Sequence, residues 1–501
     1  MSGFAIREKD GSGRVIAVYT SEGQHEKTAQ KRAESARLVR SSWRRVLSDV
    51  FLPEGYPSTV SSDYLQYQIW NALQAFCSSL AGLFASRAVL QGHGVGNASA
   101  SATNAIFLTV LQDVFSRLTT IAAGYYLGTS LYPEAKTYRL LADVLNDAAI
   151  ICDTLSPHLA HFSFTLAYPF IVPAADSSLR VVALCLSGAF RSLCGAVAGG
   201  SKAALTVHFA TAGERPGDVG DLSAKDGSKE TVLALLGMLC GSVVLNYVHS
   251  AQATYMALFS LVFCHLAANV AAVKVIAMRT FNRQRASIAW LTFRLAFDEE
   301  GERIAKPSVP SYRTVARRER IFTDAACISC APDGQGALSY CTIGVPFSTI
   351  TGSPAHKETS WRIWSSPRPG PQLDNTQIAS LLHTFTDEKY ILWYTSFPSS
   401  ALRMAIVLKE GHGAHDHLKA WAHAHEVARA CAGRTPSDFE SGVGVVREAL
   451  ARVSGMFEGF VGAAREAGWK TEEGALVGGS PVTVTIDVGD LNRALEDRKN
   501  V

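Results

Sequence analysis

Between Glu230 and Lys274 the chain contains no Asp, Glu, Lys or Arg. An uninterrupted apolar run of that length is too long for one buried helix. It fits two membrane spans of about 20 residues each, broken near His249–Thr254 and with Gly237-x-x-x-Gly241 in the first. Shorter charge-free runs cover 64–86, 88–112, 118–133 and 154–175, whereas the last two fifths of the chain is charged throughout. The expected fold is therefore mostly α, a multi-helix membrane-associated bundle of about four to five apolar helices followed by a small α+β C-terminal domain. The expected division is a polar and basic N-terminal arm with an amphipathic helix over 1–50, a helical membrane domain over 51–290, a linker over 291–312 and a soluble domain over 313–501.

Charge placement sets the expected topology. Lys27 to Arg45 carries seven Lys/Arg against Glu34, and Lys274, Arg279, Arg283 and Arg285 follow the last apolar run. Basic flanks at both ends face the same side of a bilayer and ask for an even number of crossings. The candidates (64–88, 102–131, 181–200, 232–249, 254–276) number five, so four spans and one miscast or re-entrant segment are expected. No cleavable signal peptide is visible near Met1. The ten cysteines are scattered, as buried thiols of a reducing compartment would be. An intracellular, multi-pass membrane location follows, with membrane lipid as one partner.

Ionisable residues inside apolar helices are costly and mark functional centres. Over 136–157, Arg139, Asp143, Asn146 and Asp147 recur three or four apart, opposite Leu140, Leu141, Val144, Leu145 and Ala148, which describes an amphipathic helix. From Gly195 to Thr231, Lys202 and His208 stand among small apolar residues, and Lys225 and Asp226 precede the longest apolar run, with Ser228 as its expected N-cap. These eight residues are the candidate ligand-binding set. The pairs Gly124/Gly128, Gly195/Gly199 and Gly237/Gly241 are candidates for close helix packing. Asp113 and Arg117, at i and i+4, form a self-neutralising pair.

Several chemistries are not written here. There is no phosphate-binding loop with a terminal Lys-Ser/Thr, no nucleophile elbow, and no spaced Ser/His/Asp or Cys/His set, so no catalytic residue is assigned. The glycines of 91–99 lack the spacing of a dinucleotide site and read as a turn. Cys327-x-x-Cys330 has no second pair or His partner at zinc spacing. His412, His415, His417, His423 and His425 carry no HExxH and read as a solvated helix face. No metal and no cofactor is assigned. Lys202 is an amine of a type that forms Schiff bases, but ion pairing is the simpler reading. The basic patches lack interleaved aromatics, so nucleic acid is not an expected partner. Past Asp298, strands are expected at Arg320–Thr323, Leu338–Ile350, Tyr390–Thr395 and Val482–Val488, and helices over 376–386, 415–431, 437–467 and from Asp490.

Several phrases of the chain, in order, resemble the Root UVB-sensitive (RUS) family. They are FLPEGYPSTVSSDYLQYQIWNALQAF (51–76), RLLADVLNDAA (139–149), GAVAGGSKAALTVHFA (195–210), DLSAKDGSKET (221–231) and HLAANVAAVKVIAMRTFNRQR (265–285), with a looser likeness around KAWAHAH (419–425). The family usually writes Arg near Lys202 and Gln near Lys229, and a shorter loop at 211–220. The resemblance implies a membrane-associated protein linked in plants to seedling growth, auxin transport and vitamin B6 status, and it supplies no reaction. The expectation is a polytopic membrane protein, not an enzyme, that transports or senses a small anionic metabolite tied to vitamin B6. The alternative is a non-catalytic scaffold presenting the C-terminal domain to a family member or another protein partner.

Overall fold

The computed structural model describes residues 5–9, 15–20, 50–95, 101–127, 131–162, 179–298, 302–331, 336–352, 372–396, 402–432, 436, 438–474, 476–479 and 481–486. The basic segment 27–45, Gly128 and the helix expected from Asp490 lie outside these residues. The chain divides into two compact units, residues 1–125 with 135–276, and 126–134 with 277–501.

The first unit begins with an antiparallel pair, β1 (Ala5–Lys9) and β2 (Val15–Thr20), in register Ala5 to Thr20. The β-branched Val15, Ile16 and Val18 favour the extended backbone. Then come α1 (Tyr64–Gly92), α2 (Ala102–Leu127), α3 (Ala135–Leu155), α4 (Leu179–Thr211), α5 (Val219–Leu245) and α6 (Ala251–Val275). All except α3 are long and apolar enough to cross a membrane, which makes five such helices among the described residues, as many as the candidate segments of the sequence. Residues 179–211 form one helix, longer than the 181–200 candidate.

Two helix starts show how short polar residues set the boundaries. Asp218 caps α5, its side chain accepting from the amides of Gly220 and Asp221. Ser228, the expected cap, lies inside α5 and donates to the carbonyl of Ala224 at 3.0 Å. The carboxylate of Asp218 stands nearly three turns earlier, at the true helix start, and satisfies orphan amides at the positive end of the helix dipole. Ser250 caps α6 through the amide of Ala253 at 3.1 Å.

Within this unit Phe84, Ala81 and Ala85 of α1, Ile150 of α3, and Leu258 and Val262 of α6 form an apolar core. The outward faces are apolar too. Ile106, Val110, Leu118 and Ile121 on α2, Leu235 and Leu239 on α5, and Phe259 and Phe263 on α6 are all exposed. Helix α3 buries its charged residues alongside Leu140 and Ile150. Val144 is 39% exposed, whereas Arg139, Asp143 and Asp147 are all below 10%.

The second unit is α+β. A five-stranded sheet has the order β4 (Cys327–Ser329), β5 (Ala337–Ile343), β7 (Arg403–Lys409), β6 (Tyr390–Ser396), with β9 (Thr483–Val484) also paired to β7. A short parallel pair joins β3 (Thr280–Phe281) to β8 (Lys470–Gly474). The helices are α7 (Arg283–Arg294), α8 (Tyr312–Arg318), the short α9 (Ser348–Thr351), α10 (Asn375–Thr384), α11 (Ala414–Ala430) and α12 (Phe439–Glu466). Residues 320–323 are not a strand, and β4 starts at Cys327. The central strand β7 escaped sequence reasoning because it is buried on both faces. Met404 through Leu408 is a continuous apolar run that periodicity cannot assign to strand or helix.

Candidate functional site

One end of the helical unit holds a layer of polar side chains, and it starts from α1. Tyr64, Tyr67, Asn71 and Gln74 are three or four residues apart and buried, so they form a single polar stripe facing inward. Each meets an ionisable residue from another helix.

At the start of the stripe the Tyr64 hydroxyl donates to Asp226 of α5 at 2.8 Å and accepts from Lys229 at 2.6 Å. Lys229 also pairs directly with Asp226 at 2.7 Å. Two turns on, the Asn71 amide donates to Glu230 at 3.1 Å, and Lys202 of α4 donates to the other Glu230 oxygen at 2.7 Å. From the opposite side, Arg139 of α3 donates to the Asn71 carbonyl at 3.2 Å and grips Asp143 at 2.7 and 2.8 Å. The Gln74 amide nitrogen donates to the same Asn71 oxygen at 3.0 Å. Its oxygen lies 3.0 Å from Nε2 of His265 on α6, whose Nδ1 lies 2.8 Å from Asp147. A continuous hydrogen-bonded path therefore runs Lys202–Glu230–Asn71–Gln74–His265–Asp147, with Arg139–Asp143 docked at its middle.

The loops around this end are closed by backbone contacts. Ser61 N donates to Phe209 O at 3.0 Å, Arg215 N to Ser58 O at 3.0 Å, and Gly217 N to Ala210 O at 2.9 Å. A Cβ on Gly217 would sit 2.4 Å from the Thr59 carbonyl oxygen, so only glycine fits there. His208 lies 3.1 Å from Asp63, just before α1.

The eight sequence candidates distribute as follows. Arg139, Asp143, Asp147, Lys202 and Asp226 all enter the layer. Asn146 donates to Ser78 at 2.9 Å, one turn further along α1. His208 belongs to the loop side, and Lys225 is half-buried beside Asp226. Sequence reasoning missed Tyr64, Tyr67, Asn71, Gln74, Lys229, Glu230 and His265. The helical spacing of the α1 stripe was a usable signal; the pairing of His265 with Asp147, far apart in sequence, had none.

Of the candidate packing glycines, two lie against a neighbouring helix. A Cβ on Gly237 would approach Ser79 Cβ to 2.8 Å and Phe76 O to 2.9 Å, and one on Gly241 would approach Leu83 Cδ1 to 2.5 Å. Gly124, Gly195 and Gly199 have nothing within 4 Å of an added Cβ, so no close helix crossing depends on them here. An unexpected third contact is Gly188, whose Cβ would meet Gln112 of α2 at 2.7 Å.

The histidines of the second unit correct an expectation. They do not form a solvated face: His417, His423 and His425 are all buried. Burial pushes His423 down to about 4 and His425 down to about 3. His417 falls to about 4 through burial, with His412 at 2.7 Å adding to the effect. His425 Nε2 lies 2.8 Å from Ser287 Oγ, which also accepts from Trp421 at 3.0 Å. His423 sits 2.9 Å from the Val446 carbonyl and 3.2 Å from the Tyr390 hydroxyl. These are core hydrogen bonds between α11 and its neighbours. Among the described residues no group of three or more His, Cys, Asp or Glu is placed to hold a metal ion.

A profile of the family described as "Vitamin B6 photo-protection and homoeostasis domain" matches residues 38–295, which contain every member of the polar layer. The chain belongs to the RUS family. It is similar to "RUS family member 1" of Dictyostelium discoideum, 32% identical over 285 residues that cover 56% of this chain and 49% of the relative. It is also similar to "Protein root UVB sensitive 3" of Arabidopsis thaliana, 27% identical over 441 residues, 87% of this chain and 86% of the relative. The chain thus spans about half the length of the first relative and most of the second. No solved structure gives a significant match.

Proposed function

We propose that this RUS-family chain is a multi-pass membrane protein whose polar layer binds a small anionic metabolite, for transport or for sensing. The observation that carries the reading is the Lys202–Glu230 pair. Its nitrogen and oxygen are 2.7 Å apart, yet each side chain keeps 35% of its surface exposed, against 6% for Asp226, 4% for Asp147 and 1% for His265. A half-exposed pair at the edge of a buried layer is the least costly one to open. An anion docking on Lys202 and the neighbouring Lys229 would replace Glu230 and Asp226 as counter-charges. The cost of leaving those carboxylates unpaired sets a specificity threshold. The family description makes a phosphorylated vitamin B6 species the candidate.

The test has two steps. Retention of the full-length protein in membranes through an alkaline carbonate wash is expected; release would remove the transport reading. Purified protein in lipid nanodiscs is then titrated with pyridoxine 5′-phosphate, which has no aldehyde to condense with a lysine. The expected result is saturable binding that Lys202→Ala weakens by about tenfold, the loss of one charge-assisted contact. Binding unchanged in a folded Lys202→Ala protein would refute the site. Restored function from residues 277–501 on an unrelated membrane anchor would favour the scaffold.

A further inference from the structure

The hydrogen-bond directions along the polar layer are fixed by groups that have no choice, and they determine where one proton sits. Arg139 only donates, so the Asn71 side-chain oxygen must face it, at 3.2 Å. The Asn71 nitrogen then faces Glu230 at 3.1 Å, which as a Lys202-paired carboxylate accepts. Turning this amide over would set donor against donor at Arg139 and acceptor against acceptor at Glu230. The same Asn71 oxygen accepts from Gln74 at 3.0 Å, which fixes the second amide. The Gln74 oxygen therefore points at His265 Nε2, 3.0 Å away, and that nitrogen must carry a hydrogen.

The consequence falls on the other side of the ring. A neutral histidine protonated on Nε2 has a lone pair on Nδ1, and Nδ1 stands 2.8 Å from Asp147 Oδ2. Two lone pairs do not meet at that distance, so a proton lies between them. A second observation agrees. The other Asp147 oxygen, in a side chain 4% exposed, has no hydrogen-bond partner. A carboxylate holding full charge is not left with one bare buried oxygen.

We infer that His265 and Asp147 form a proton-binding site inside the helical bundle, which takes up one proton and holds it as a net-neutral pair. Its ligand is the proton itself, taken from water and returned to it with no other bond made or broken. Losing the proton sets the imidazole lone pair against the carboxylate, so release loosens the joint between α6, α1 and α3. Asp143 of the layer and the thiols of Cys77 and Cys194 lie near enough to Asp147 to act on its charge, and Cys264 lies beside Cys77. Arg139 with Asp143 and Glu230 with Lys202 are already paired, which leaves His265–Asp147 as the member of the layer that needs a proton from outside to complete it. The inference does not depend on the anion reading.

The test uses full-length protein in lipid nanodiscs with nitrogen-15-labelled histidine, and His265→Gln identifies the His265 signals. At pH 7 the expected spectrum shows either both His265 nitrogens protonated, or Nε2 protonated together with an infrared carboxylic-acid band that Asp147→Asn removes. Protonation on Nδ1 alone, or on Nε2 alone with Asp147 ionised, would overturn the proposal. Hydrogen exchange supplies a readout of the joint. Asp147→Asn puts an amide N–H where the proton sits, so its α6 amides are expected to stay protected at all pH values. The corresponding wild-type amides should lose protection on the order of tenfold once the proton leaves at alkaline pH. An identical pH profile of protection in the two proteins would also overturn it.

Discussion

One guanidinium nitrogen of Arg139 reaches both carboxylate oxygens of Asp143, a turn further along the same helix, at 2.7 and 2.8 Å. Both residues are below 10% exposed. A buried pair of this kind adds little net stability, but removing one partner strands a charge at a cost of about 3–5 kcal/mol. Asp143→Asn is therefore expected to lower the thermal unfolding midpoint of the purified protein sharply. The double variant Arg139→Met/Asp143→Leu is expected to recover most of the loss. A single variant as stable as the parent would mean that Arg139 finds other partners.

The small-residue positions separate into two groups. Gly237→Ala drives a methyl into the α1 backbone at Phe76, and overpacking of this sort costs roughly 1–3 kcal/mol. Gly195→Ala meets open space and removes backbone freedom from the unfolded chain, which stabilises by roughly 0.4–1 kcal/mol. Thermal unfolding of the two variants side by side is expected to show shifts of opposite sign. Equal shifts would contradict the packing of α5 against α1.

The buried histidines make the second unit acid-labile. Folding holds His423 at about 4 and His425 at about 3, below the ordinary histidine value of 6.5. A base depressed on folding contributes stability that is present above its unfolded value and lost as the pH falls towards the folded one. The window runs from about 6.5 down to 3 or 4, with on the order of 1.4 kcal/mol per pH unit for each histidine. Hydrogen exchange over residues 414–430 of the full chain is expected to be steady between pH 7 and 8 and to rise steeply below pH 6. His425→Gln is expected to flatten that rise.

Thiol reactivity distinguishes Cys341 from Cys330. Burial pushes Cys341 up to about 12, and its side chain is fully enclosed in the sheet, so little thiolate forms near neutral pH. Cys330 is exposed at the end of β4. Maleimide at pH 7.5 followed by peptide mass spectrometry is expected to modify Cys330 and to spare Cys341 until the protein is denatured. Prompt labelling of Cys341 would show that the sheet opens in the native state.

The sequence by itself was enough for the class of the protein. Charge-free runs longer than any soluble core needs, divided by short polar turns, allow little besides long apolar helices, and the charged remainder had to be a separate α+β unit. Arg139, Asp143, Asp147, Lys202 and Asp226 were legible as well, because an ionisable residue in an apolar helix must find a partner. The partners were not legible. Helical periodicity states which residues share a face, but it does not state which way that face turns or what lies opposite. Whether the polar face of α3 met water or its own kind was decided by the Tyr67, Asn71 and Gln74 stripe of α1. Whether His423 and His425 met water or a core was decided by Ser287, Tyr390 and Val446, residues distant in the chain. His265 gave no local sign of its role: only the packing of α6 against α1 and α3 brings Asp147 and Gln74 to its two nitrogens, and only that fixes where its proton must be.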